Sequence, residues 1–89
     1  MSDSAIDSQY VEQLLKQQLK LEQVTVTNEG NHFTVTAVDA CFDGMSRVKQ
    51  QQFIYAPLIE LIQRNDIHAL AIKTYTPEEW AQQSKFGSL

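Results

Sequence analysis

The chain has 89 residues, 43% of them hydrophobic, which suffices for one small domain with a modest core and excludes a second domain. Eleven acidic residues against seven Lys and Arg give a net charge of -4, opposite to the positive charge that holds proteins to phosphate backbones. The single cysteine, Cys41, excludes an internal disulfide and a cysteine-only metal site, and it fits a reducing compartment.

No segment of the sequence is typical of a membrane or export signal. The longest apolar stretch, residues 53–62, is about half the length of a membrane-spanning helix and is interrupted by Pro57 and Glu60. The first nine residues are polar and acidic, whereas a secretory signal has basic residues followed by an apolar core. We therefore expect a cytoplasmic protein without membrane contact.

The first predicted element is a helix that starts after a flexible N-terminal lead at residues 1–7. Asp7 or Ser8 can cap this helix, and one domain is expected over residues 8–82, followed by a C-terminal tail at 83–89. Its apolar positions recur with the 3.6-residue period of a helix and are Val11, Leu14, Leu15 and Leu19.

A β-hairpin is predicted next, because residues 21–27 alternate apolar and polar side chains with period two. Residues 28–31, Asn-Glu-Gly-Asn, supply the turn, including a glycine for a positive φ angle. In the second strand Phe33, Val35 and Ala37 share one face, so that side of the sheet is expected to pack on helices.

A helical pattern resumes at Ser46 and stops at Asn65-Asp66, with an apolar stripe made of Ile54, Leu58, Leu61 and Ile62. Pro57 lies inside this pattern and removes a backbone hydrogen bond. The sequence leaves two alternatives open: a kinked helix, or two helices with Pro57 in the first turn of the second.

The third strand is predicted at residues 67–75 and is followed by the strongest local signal in the chain. Thr76, Pro77 and Glu79 form a capping box with proline at the first helical position, and Tyr75 and Trp80 form a hydrophobic staple around it. The element order helix, strand, strand, helix (one or two), strand, helix predicts an α+β fold in which helices cover one face of a three-stranded sheet.

Few residues point to chemistry, and the absence of GxSxG, P-loop, HExxH and CxxC motifs predicts a non-enzyme. His68, at the start of the third strand, is the main metal-ligand candidate, although a histidine bonded to backbone is the commoner case. His32 stands at the end of the hairpin turn, where a solvated histidine is the alternative. Cys41 is either a buried filler or an exposed thiol, and burial is favoured.

Residues 42–52 form the remaining candidate site, which would suit an anion. Gly44 leads into a helix start at Ser46 that carries two cations, Arg47 and Lys49, and no acidic residue occurs from Gly44 through Gln52. Ser46 acting as a helix cap explains the same pattern without a ligand, so the structural interpretation is favoured.

Two segments, FDGMSRVKQQQFIYAPL and IHALAIKTYTPEEW, resemble the BolA family, and specifically its short bacterial IbaG type. This resemblance implies a class II KH-like fold. It also implies a non-enzymatic partner of monothiol glutaredoxins that shares a bridging [2Fe-2S] cluster with the glutaredoxin and glutathione. The family's signature histidine, a cluster ligand, falls on His68, and the isolated chain is expected to hold no cluster tightly.

The sequence departs from the family at two points. The family places a second ligand, a cysteine or histidine, in the loop between the first two strands, where this chain has only the short turn 28–31, so His32 is a weak candidate for that role. Residues 50–52 are Gln-Gln-Gln where many relatives have an Arg-His-Arg-like run, and no GxxG loop is present. The loss of these charges and the missing GxxG loop weaken any DNA-binding function that the resemblance implies.

Two alternatives to the adaptor function stay open. One is a nucleic-acid-binding transcriptional regulator that would use Gly44, Ser46, Arg47 and Lys49, and the other is a protein-interaction module in which His68 is structural. The sequence does not distinguish a monomer from a homodimer.

Overall fold

The computed structural model describes residues 6–87, with side chains described through Gln83. Residues 1–5 of the predicted lead and residues 88–89 of the predicted tail lie outside the described residues, and the domain limits stay a prediction. The helices and strands follow in chain order: α1 Ser8–Gln18, β1 Gln23–Glu29, β2 His32–Val38, α2 Arg47–Tyr55, α3 Ile59–Gln63, β3 Ala69–Tyr75 and α4 Pro77–Gly87.

The three strands form one mixed sheet in the order β1-β2-β3. β1 and β2 pair antiparallel as a hairpin, and β3 pairs parallel with β2 after the crossover through α2 and α3. The predicted α+β architecture is therefore confirmed. In its central strand, β2, polar and apolar residues alternate from His32 to Ala37.

The hydrophobic core lies between the helices and one face of the sheet. Sheet residues on that face include Val24, Val26, Phe33, Val35 and Ala37, and each is at most 5% exposed. The helices contribute Val11, Leu15, Ile54, Leu58 and Leu61 to the same cluster. The opposite face carries exposed or half-buried threonines at alternate positions of β1 and β2, as the period-two pattern predicts.

The hairpin turn is shorter than the four residues predicted for it. The β1–β2 ladder continues to the pair Glu29 and His32, which leaves only Gly30 and Asn31 in the turn. Gly30 has a φ of 61°, the left-handed value that a two-residue hairpin with glycine at its first position needs. Asn28, predicted to be in the turn, instead donates its side-chain amide to the carbonyl of Gly30 at 2.8 Å.

Pro57 separates two helices, as the second alternative predicts, but it lies in the turn before the second helix and not in the first turn of that helix. α2 ends at Tyr55, a 3₁₀ turn at Ala56–Leu58 contains the proline, and α3 begins at Ile59. Leu58 and Leu61 are buried across this junction, so the break redirects the chain without interrupting the apolar stripe.

β3 starts at Ala69, two residues later than predicted, and ends at the expected capping box. The N–H of Glu79 donates to the Thr76 hydroxyl at 3.2 Å, and the N–H of Thr76 donates to the Glu79 carboxylate at 2.9 Å. The rings of Tyr75 and Trp80 are 5.2 Å apart, which confirms the staple. None of the described helices has the length and hydropathy needed to cross a membrane.

Candidate functional site

His68 lies immediately before β3, at the end of the sheet that also carries the hairpin turn. Its backbone N–H donates to the carbonyl of Asn31 at 2.8 Å, and the N–H of Ala69 donates to the same carbonyl at 3.3 Å. The side chain of His68 is exposed. The backbone of this residue is therefore fixed by the neighbouring strand while its imidazole is accessible to a partner.

His32 is brought to the same end of the sheet, because it opens β2 directly after Asn31. It pairs with Ala69 of β3 on one side and with Glu29 of β1 on the other. His32 is exposed and falls on the sheet face opposite the core, by alternation with the buried Phe33. The segments of both histidines thus meet around one carbonyl group, whereas sequence patterns alone gave no distance between them.

The described residues contain no group of three or more His, Cys, Asp or Glu side chains arranged to hold a metal ion. Cys41 does not join the two histidines, because it follows the far end of β2, a seven-residue strand about 20 Å long. This end of the sheet therefore offers two imidazoles. A metal centre with four ligands would need the remaining donors from another molecule.

Cys41 is exposed, so the favoured interpretation of a buried filler is wrong. The Asp39 carboxylate accepts the N–H of Cys41 at 2.8 Å and caps a 3₁₀ turn at Ala40–Phe42. Within this turn Phe42 takes the buried position, at 1% exposed, and the cysteine turns outward. Sequence reasoning did not identify the cap, although an aspartate directly after a strand is a common cap residue.

The two side chains of this turn shift each other's ionisation. The hydrogen bond from the Cys41 N–H lowers the pKa of Asp39, and its bond from the N–H of Glu22 lowers it further. Partial desolvation of the sulfur, and next the Asp39 carboxylate, raise the pKa of the Cys41 thiol. Because the thiolate is the nucleophile, the raised pKa of Cys41 lowers the fraction of this residue in its reactive form.

Asp39→Asn is expected to increase the rate of Cys41 alkylation by iodoacetamide several-fold at about pH 8, since removal of the negative charge lowers the pKa of the thiol. Asparagine retains an oxygen that can accept the N–H of Cys41. Asp43→Asn, which removes a charge beside the same turn, is the matched control and should leave the rate unchanged. The rate is followed by mass spectrometry, and an equal or slower rate in Asp39→Asn would contradict the assignment.

The segment from Gly44 to Lys49 has the structure of an ordinary helix start. Gly44 has a φ of 90°, and the Ser46 hydroxyl accepts the N–H of Lys49 at 3.2 Å. Arg47 and Lys49 are both exposed, and Asp43 precedes them. The cap predicted at Ser46 is confirmed, and a role of this segment in nucleic-acid binding stays a prediction.

Gln50 and Gln51 connect α2 to β3 through their side chains. Gln50 donates to the carbonyls of Phe42 at 3.0 Å and Met45 at 3.2 Å, and it accepts the Thr74 hydroxyl at 2.6 Å. Gln51 donates to the carbonyl of Ile72 at 3.1 Å. Sequence reasoning treated these residues as a loss of charge, and no local pattern indicated that their side chains would bond to β3.

The family model described as "BolA-like protein" matches residues 12–79 of the chain. The chain is 49% identical over 80 residues to a protein named acid stress protein IbaG from Escherichia coli K12, covering 90% of this chain and 95% of that protein. It is 31% identical to a protein named DNA-binding transcriptional regulator BolA from Haemophilus influenzae, covering 86% of this chain and 84% of the other.

Solved structures give the same result for the fold. A bolA protein homologue from Coxiella burnetii superimposes with a TM-score of 0.72 at 27% identity, over 85% of this chain and 97% of that one. The sheet order and the helix positions described above are therefore those of a known structural group.

Proposed function

The chain belongs to the BolA-like protein family, and on that basis we propose that it is a non-enzymatic adaptor that pairs with a monothiol glutaredoxin to share a bridging [2Fe-2S] cluster. The observation that carries this proposal is the placement of His68. Its imidazole is exposed directly before β3, on a backbone held by Asn31. The sequence resemblance to the family assigns its signature histidine to this residue.

The donor set fits one side of a shared cluster. Two irons of such a cluster need four ligands in total, and the described residues at this end of the sheet supply two imidazoles at most. His68 is the proposed ligand, and His32 is the weaker candidate for a second one because the tight turn at Gly30 and Asn31 carries no other donor of that kind. The glutaredoxin cysteine and the glutathione thiolate would supply the remaining positions.

The cellular setting follows from the same chemistry and from the relatives. Thiolate ligands and a glutathione-dependent partner require a reducing compartment, so the proposed location is the cytoplasm. The name of the Escherichia coli relative refers to acid stress. The proposed roles are accordingly iron–sulfur trafficking or an iron or stress response.

The proposal is tested by mixing the chain with a monothiol glutaredoxin, glutathione and a reconstituted [2Fe-2S] cluster. The expected result is a complex of one chain with one glutaredoxin, detected by native mass spectrometry. Its visible circular dichroism should differ from that of the glutaredoxin alone. A mixture whose spectrum equals the glutaredoxin's own and that yields only homodimers of the glutaredoxin would refute the adaptor function.

A second candidate function, nucleic-acid-dependent regulation, is favoured by the name of the Haemophilus influenzae relative and by the exposed Arg47 and Lys49. The net charge of -4 and the uncharged Gln50 and Gln51 weigh against it. If the chain is a nucleic-acid-binding regulator, it should bind duplex DNA at low ionic strength. Its affinity should fall steeply with added salt and in the Arg47→Ala variant. No binding at low ionic strength would remove this candidate.

A further inference from the structure

The two outer edges of the sheet differ in how they are covered. Along β1 the helix α1 lies against the strand, and the Glu12 carboxylate accepts the outward N–H of Val26 at 3.1 Å. A free strand edge can pair with another chain, and proteins usually block such edges with side chains or helices. The edge of β1 is blocked in this way.

β3 forms the other edge, and alternate residues of it point away from the sheet. Ala69 and Tyr75 bond to the β2 side, through the carbonyl of Asn31 and the N–H of Asp39. In a parallel ladder the residues between such positions direct their N–H and C=O groups outward, so Leu70, Ile72 and Thr74 present theirs at the edge. These three residues carry the backbone groups that an added strand would use.

Among the described residues, only one of those outward backbone groups has a hydrogen-bond partner, the carbonyl of Ile72. Its partner is the amide of the Gln51 side chain, at 3.1 Å. A side-chain amide offers the same N–H donor as a peptide backbone, so Gln51 stands where the N–H of a further strand would lie. An incoming strand can replace this bond by one of the same kind.

An open groove of about 740 Å³ runs beside this edge, between the first half of α2 and the start of α4. Arg47 and Lys73 line it, both exposed and neither in an ion pair with another described residue. The one carboxylate of the lining, Glu79, is already engaged by the N–H of Thr76. The groove therefore presents two unpaired cations next to unpaired backbone groups.

We propose that the groove binds an extended, acidic polypeptide segment of another protein, which adds to β3 as a fourth strand and displaces the Gln51 amide from Ile72. Backbone groups at the edge supply the main-chain hydrogen bonds, and Arg47 and Lys73 select acidic side chains. Nucleic acid suits the groove less well, because the chain has a net charge of -4 and the groove offers only two cations to a phosphate backbone. The site lies along β3, whereas His68 precedes this strand, so the two are separate.

The test uses a fluorescein-labelled peptide, Thr-Val-Glu-Val-Thr-Val-Glu-Thr, with anisotropy and ¹⁵N amide shifts of the full chain as readouts. Binding should shift the amides of residues 70–74. Gln51→Ala should tighten binding several-fold, because a competitor for the Ile72 carbonyl is lost. Lys73→Glu should weaken it about tenfold, while Lys20→Glu, at an exposed site outside the groove, and His68→Ala should leave it unchanged.

A second peptide, N-methylated at alternate residues, separates strand addition from simple charge attraction. It keeps both glutamates and loses the donors that face β3, so its binding should be abolished. Equal binding of both peptides, or no binding of either, would overturn the proposal. It would also fail if a single-stranded oligonucleotide and not the peptide shifted residues 70–74, or if sedimentation showed that a second copy of the chain occupies this edge.

Discussion

His68→Ala is expected to abolish the visible circular dichroism that distinguishes the mixed glutaredoxin complex from the glutaredoxin alone. The chain would lose its main ligand, and the cluster would remain with the glutaredoxin and glutathione. His32→Ala, at the weaker candidate position, should alter the spectrum less than His68→Ala. The comparison is made at equal protein and cluster concentrations, with complex formation followed by native mass spectrometry.

The structure distinguishes a role of His68 as a cluster ligand from a role in stabilising the fold. The contact that fixes His68 is made by its backbone N–H to Asn31, a bond that alanine retains, and the imidazole is exposed. The free energy of unfolding of His68→Ala should therefore stay within about 0.5 kcal/mol of wild type, as for most surface substitutions. A variant that forms the wild-type complex spectrum, or that loses it only because it unfolds, would contradict the ligand assignment.

Much of the fold follows from local sequence patterns, because these reflect interactions between residues that are close together in the chain. The capping box at Thr76 and Glu79 lies within four consecutive residues, so the start of α4 follows from sequence alone. The alternation in β2 identifies its buried face in the same way, because successive side chains of a strand point to opposite sides. Such signals do not depend on where the rest of the chain goes.

The features that sequence reasoning missed depend on contacts between distant segments. The amide of Gln51 reaches a carbonyl 21 residues away, and no local pattern indicates which strand edge α2 will face. The hairpin turn was predicted two residues too long, because Asn28 and Glu29 are typical of turns yet are held in the ladder opposite Phe33 and His32.

The candidate site likewise combines a residue that the sequence identified with an arrangement that depends on contacts between distant segments. His68 stood out because of its position before an apolar strand and because of the family resemblance. Its closeness to the hairpin turn, however, requires parallel pairing of β3 with β2, which places Asn31 and His68 side by side although 36 residues lie between them in the chain. Only the topology of the sheet brings these segments together.

Phe33→Ala is expected to lower the free energy of unfolding by about 3–5 kcal/mol, the usual range for removing a buried aromatic ring. Phe33 is 2% exposed in the central strand, paired with Asn28 and Leu70, and domains of this size have little stability in reserve. Urea unfolding followed by circular dichroism measures the change, with Phe33→Leu expected to cost less.

Val48→Ala is the control for Phe33→Ala, because Val48 is 64% exposed and its truncation should change the free energy of unfolding by no more than about 0.5 kcal/mol. Equal midpoints for Phe33→Ala and Val48→Ala would contradict the placement of the core. Phe33 directly follows His32, so its loss also releases the end of the sheet that carries both histidines. Phe33→Ala should therefore weaken the mixed complex and the folded structure together, whereas His68→Ala should lose the complex while its stability stays that of wild type.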